Sequence, residues 1–113
     1  VDVIERSISM ASTVNALVIT VTFNLSACVA GASVRLAIEE EEGTPSELVT
    51  ETVTTSDPGT YANMQLHTLH ALYLPASTSS ITYAGSASPQ NAGANSKTVW
   101  GTIQISEVTI IPA

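Results

Sequence analysis

Two histidines three residues apart, His67 and His70 in the stretch LHTLHALYLPAS, are the side chains of this sequence that most invite a chemical reading. Imidazoles ligate zinc and carry protons, and on a helix a spacing of three would place both on one side. On a strand the same odd spacing sends them to opposite faces, where one metal ion cannot reach both. The second feature is the run Glu39-Glu40-Glu41-Glu42, followed by Gly43, Thr44 and Pro45. Carboxylates on a flexible loop can hold calcium, but this run lacks the alternating acidic spacing and following acidic ligand of a recognised calcium loop. It reads as a solvated, self-repelling connection whose charge discourages strands from aggregating edge to edge.

Nucleophilic catalysis needs a serine or cysteine activated by a positioned base, with donors for the oxyanion. No nucleophile elbow surrounds any of the serines, and Asp2 and Asp57 have no evident relation to either histidine. Nothing marks out a carboxylate pair for glycoside hydrolysis. Cys28 is the single cysteine, and its small apolar neighbours in LSACVAG suit a buried, inert thiol. The chain is therefore read as a non-enzyme, with no cofactor and no metal. Trp100 is the candidate contact residue. It falls out of phase with Val99, Ile103 and Ile105, and an outward tryptophan on a strand suits a glycan or a protein partner. Cover over an edge of the core is the equally simple alternative. Asn24-Leu25-Ser26 matches a glycosylation sequon but continues an alternating strand, and the motif is common by chance.

The elements that must position these residues are mostly strands. In NALVITVTFNL, Leu17, Ile19, Val21, Phe23 and Leu25 take every second position, with Thr20, Thr22 and Asn24 between them. A period of two means one buried and one more polar face. SVRLAIE repeats it with Val34, Leu36 and Ile38, and Gly31 between the two runs allows a hairpin or a bent connection. RSISMAS offers a shorter strand, and ELVTETVTT a more exposed one that closes at the turn signal Asp57-Pro58-Gly59. The histidine segment reads as a strand over about 62–74, apolar on both faces toward its end. A helix also fits Leu66, Leu69 and Tyr73, but the segment has no charged face and runs into Pro75. SSITYAGSA is a further strand, and SPQNAGANSK a loop. In KTVWGTIQISEVTIIP the apolar phase changes between Ile105 and Val108, which predicts a bulge near Ser106 or Glu107, or a strand crossing between sheets. The total is about eight strands with little or no helix, the pattern of an all-β antiparallel sandwich or barrel.

Length and charge bound the possibilities. At 113 residues the chain makes one domain, 1–113, able to bury roughly two-thirds of its unfolded surface. With 44% hydrophobic residues spread along its length it is expected to be globular and soluble. No apolar run approaches the ~18 residues of a spanning helix, and no secretory leader pattern is visible in the opening residues. Three basic residues against ten acidic ones give a formal charge of −7. Such a surface repels phosphate backbones and anionic lipid, so neither nucleic acid nor membrane is an expected partner.

LHALYLPASTSSITYAGSA followed by VWGTIQISEVTI resembles the closing half of small jelly-roll domains of bacteriophage and other viral structural proteins. These include capsid decoration proteins and fibre heads, similar in architecture to the trimeric tumour-necrosis-factor and complement-type heads. The resemblance covers about the last 50 residues and is one of strands and turns rather than a diagnostic motif. It implies an antiparallel jelly-roll β-sandwich that assembles as a homotrimer on the outer surface of a virion, or otherwise outside the cell, and binds a major capsid or other virion protein. Leu69 and Tyr73 would then pack near the threefold axis, and residues 1–7, with Val3 and Ile4, would form an arm docking on a neighbour. The alternative is a carbohydrate- or receptor-binding β-sandwich using Trp100 and the SPQNAGANS loop.

Overall fold

The computed structural model describes residues 2–26, 33–42, 44–54, 65–90 and 98–110. These residues form seven strands: β1 (Asp2–Ile8), β2 (Asn15–Ser26), β3 (Ser33–Glu40), β4 (Ser46–Thr54), β5 (Gln65–Tyr73), β6 (Ile81–Pro89) and β7 (Thr98–Thr109). The alternation in β2 has the physical cause expected of it. Leu17, Ile19, Val21, Phe23 and Leu25 are all buried, and the residues between them are not. At about 1.5–3 kcal/mol for each large apolar side chain removed from water, this one strand face supplies a large share of the driving force for folding.

β2 is the centre of a three-stranded sheet ordered β5-β2-β7, and the remaining strands form a four-stranded sheet ordered β1-β6-β3-β4. Every pairing is antiparallel. The inward residues of the second sheet, Val34, Leu36 and Ile38 of β3 with Ile81, Tyr83 and Ala87 of β6, join those of β2 in one core. The chain is thus an all-β antiparallel sandwich. β1 lies against β7 at one seam, and β4 against β5 at the other. β2 and β3, flanking Gly31, belong to different sheets, so the connection between them crosses the sandwich and makes no hairpin.

Two glycines let backbones approach. A Cβ on Gly85 of β6 would come within 2.6 Å of Val21 Cγ1 and 3.2 Å of Phe23 Cζ, and one on Gly101 of β7 within 2.7 Å of the Thr22 carbonyl oxygen. At Gly85 the two sheets touch through the absence of a side chain.

Three expectations are corrected. No bulge interrupts the last strand: β7 pairs with β2 in unbroken register from Asn15 opposite Thr109 to Ser26 opposite Thr98. The strand number among the described residues is accordingly seven. Residues 2–8 are not a free arm either. They pair with β6 as the edge strand of this chain's own sheet, with Val3 and Ile4 packed against its core. Finally, β3 runs one residue past SVRLAIE, so that Glu40 of the acidic run belongs to the strand with Glu39 rather than to a loop.

The position of the apparent phase change is occupied by a carboxylate with a structural task. Glu107 stands opposite Leu17 and reaches the connection between β1 and β2. Its Oε1 accepts from Ala11 N at 2.8 Å, and its Oε2 accepts from Asn15 Nδ2 at 2.7 Å and Ser12 N at 3.3 Å. These donors, the Ala11 amide foremost, hold the Glu107 carboxyl below its ordinary range. A carboxyl depressed in the folded state stabilises above its unfolded pKa, and that contribution is lost as the pH falls through the lowered folded value. Glu107→Gln is therefore expected to melt at a lower temperature than the parent at pH 7, and the gap should close as the pH is taken below about 4. Thermal melts of both proteins from pH 7 to pH 2 check this; a gap that persists or widens in acid would contradict it.

Candidate docking face

The two histidines are on opposite sides of β5. His67 stands opposite Phe23, on the inward side and half-buried, whereas His70 stands opposite Thr20 and is exposed. His70 Nδ1 lies 3.3 Å from Thr20 Oγ1, a hydrogen bond along the outer surface of the sheet. Among the described residues no group of three or more His, Cys, Asp or Glu side chains is placed to hold a metal ion.

The acidic run lies beside the tyrosines. The Tyr73 hydroxyl donates to the Glu40 carboxylate, which raises the hydroxyl's pKa. Tyr73 meets Tyr83 edge-on, with ring centroids 6.1 Å apart and planes at 71°. Tyr83 is fully buried, and its Oη has no hydrogen-bond partner among the described residues. Burial first, and then the nearby Glu40 charge, push its pKa far up. Both phenols stay protonated at any physiological pH, so this corner packs the sandwich and has no phenolate chemistry to offer.

Leu69 and Tyr73 are committed to the same packing. Leu69, opposite Val21, is only 4% exposed, and Tyr73 packs against the core. Both side chains thus pack within the chain, Leu69 almost completely and Tyr73 in part. The leucines of β5 that solvent reaches are on the other side: Leu66 at 63% and Leu72 at 64%, followed by Leu74 just past the strand.

That other side is the outer face of the three-stranded sheet, and the registers assemble it in rows. Leu66 stands beside Asn24; Thr68 beside Thr22 and Thr102; His70 beside Thr20 and Gln104; Leu72 beside Val18 and Ser106. The Thr22 and Thr68 hydroxyls are 3.2 Å apart, one cross-strand bond of the kind that stiffens a sheet surface. Val108 continues the last row beside Ala16, which is itself fully buried, and none of these residues carries a formal charge. The contrast with the other sheet is plain. Its outer side bears Glu5, Arg35, Glu39 and Glu47, with Arg35 and Glu47 in a two-pronged ion pair whose Nη2–Oε1 arm is 2.6 Å long. A protein of charge −7 thus keeps one broad face free of charge. Interface centres are depleted in charged groups because each one must be desolvated on docking, and this face asks for no such desolvation.

In the register, position 100 stands opposite Asn24 at the end of this face. The side chain of Trp100 lies outside the described residues, as do Cys28, Gly31, Asp57, Pro58, Gly59, Tyr61, Met64 and residues 91–97 of the polar loop. The sequence carried the signal of the face in the Thr20, Thr22, Asn24 phase of β2. Its extent needed the strand order, which sets Leu66, Leu72, Thr102 and Gln104 around that phase. No family model, curated protein or solved structure matches this chain.

Proposed function

We propose that this chain is a virion structural protein of jelly-roll type, a decoration protein that docks on the outer surface of a capsid and stabilises it by bridging neighbouring capsomers. The observation that carries the reading is the uncharged Thr- and Leu-bearing face of β5, β2 and β7 on an otherwise acidic surface. Such a face suits repetitive docking, in which many modest contacts act together. The partner in this reading, a major capsid or other virion protein, is the one that the resemblance of the last 50 residues to viral jelly-roll domains implies. The homotrimer implied by that likeness would need a threefold contact other than Leu69, which is spent in the core.

The test is addition of the purified protein to isolated capsids that lack it. The expected result is saturable binding and a rise in the capsids' thermal disruption temperature, both lost with Thr22→Lys/Thr102→Glu on the docking face. Capsids unaffected by the parent protein would remove the reading. One observation favours a second function, a glycan- or receptor-binding sandwich: Asn24 and the Trp100 position adjoin at the end of the face. Glycan binding abolished by Trp100→Ala, with no effect on capsids, would establish that reading in place of the first.

A further inference from the structure

Four strands border the two sheets, and they are not alike. β1 carries Asp2, Glu5 and Arg6 and β4 carries Glu47 and Glu51, while β7, whose Glu107 is bonded to the connection between β1 and β2, lies against β1. Charges of this kind keep open backbone edges from pairing with other chains. β5, QLHTLHALY, carries none. It is nine residues long, its pairing with β2 runs in unbroken register, and among the described residues it pairs with no other strand. An uncharged, regular edge of that length is a template for one more strand.

The order of residues in β5 says which strand fits. About Leu69, an antiparallel copy of β5 sets Leu66 opposite Leu72, His67 opposite Ala71, Thr68 opposite His70 and Leu69 opposite itself. The two exposed leucines of one copy therefore meet the two exposed leucines of the other, and between them on the same outer face Thr68 of each copy meets His70 of its partner. From this self-complementarity we infer that two copies of this chain pair edge to edge through β5, in a homodimer whose twofold axis passes at Leu69. The contact is isologous, as a closed dimer requires. Nine residues so paired exchange about eight backbone hydrogen bonds, and the Leu66–Leu72 contact is made twice. The two three-stranded sheets become one of six strands, and the uncharged outer face doubles. The inference stands apart from the virion reading, because the edge pairs whatever the doubled face docks on.

Each copy carries −7, so the copies repel one another at long range, and nothing in β5 supplies an ion pair to offset this. Salt screens that repulsion and is expected to tighten the dimer.

Sedimentation of the full chain over a concentration series tests the inference. A monomer–dimer equilibrium is expected, stronger at high than at low sodium chloride. Leu66→Glu and Leu72→Lys should each weaken it about tenfold or more. Both sites are solvent-exposed, so each variant should fold as the parent does. The double variant Leu66→Glu/Leu72→Lys should regain most of the lost affinity, because the two new charges face one another across the axis. Amide protection over residues 66–72 should rise with protein concentration. A chain monomeric throughout, a trimer, a dimer loosened by salt, a dimer indifferent to both single variants, or a double variant no better than either single one would each overturn the inference.

Discussion

Gly85→Leu is expected to lower the thermal midpoint by about 10 °C or more. The site has no room for a Cβ, which would lie 2.6 Å from Val21 Cγ1, well inside van der Waals contact. Val21 cannot swing aside cheaply, because a β-branched side chain is stiff at χ1 and this one is fully buried. The remaining option is to separate the sheets where Gly85 faces Val21 and Phe23, and overpacking of that kind costs about 3 kcal/mol. For a chain of this length each kcal/mol is worth roughly 4–8 °C. The mechanism has its own control. Val21→Ala opens the space that Gly85→Ala would fill, so the pair of substitutions should cost less than the sum of the two made singly. Strict additivity would show that the two residues do not compete for the same volume.

Leu69→Arg should remove a large part of the stability of the domain, and Leu72→Lys, three residues along the same strand, should leave it within about 0.5 kcal/mol of the parent. Leu69 sits opposite Val21 in the core, and a guanidinium placed there would lose its hydration among apolar side chains. A cost of about 4 kcal/mol or more is a large part of the roughly 6–17 kcal/mol available to 113 residues. Leu72 is on the solvent side. Urea unfolding of the two variants at a concentration where the parent is monomeric separates core from surface directly. A stable, fully folded Leu69→Arg protein would mean that β5 presents its other face to the core.

That comparison also shows where the sequence stopped being informative. The alternation in β2 and β3 identifies the inward set because those strands are apolar on one face only, and a slip of one residue would expose all of it. β5 has leucine in both phases, at Leu66 and Leu72 in one and Leu69 in the other. Its inward face is chosen by pairing with β2, fifty residues away in the chain, and nothing local to β5 contains that choice. The strand assignment itself was legible, and with it the separation of His67 from His70.

The end of β7 failed for a different reason. A change of apolar phase normally signals a bulge, but here the inward position belongs to Glu107, which ties down the connection between β1 and β2 while the strand runs straight through. A short apolar segment such as that of Val3 and Ile4 looks the same in sequence whether it docks on its own sheet, as here, or on a neighbour's. The docking face was half visible, in Thr20, Thr22 and Asn24, and its lack of charge became a property of a surface only once three strands were set side by side.

The order of the strands has a consequence in time. Of the five pairings among the described residues, only that of β3 with β4 joins strands consecutive in the chain. The others close long loops, up to the pairing of Asn15 with Thr109 that spans nearly the whole molecule. Loop closure of that length must be completed before its contacts reward it, which places folding in the slow range of small domains, on the order of milliseconds to seconds. On a ribosome, β2 emerges before β5 and β7 and waits with its five large apolar residues for both of these partners. β5 can reach it first, and β7, the other flank, is made only after β3 to β6. Until then the strand that carries the most core surface has one edge unpaired, and a nascent chain is most exposed to aggregation at the segment that makes the finished one stable.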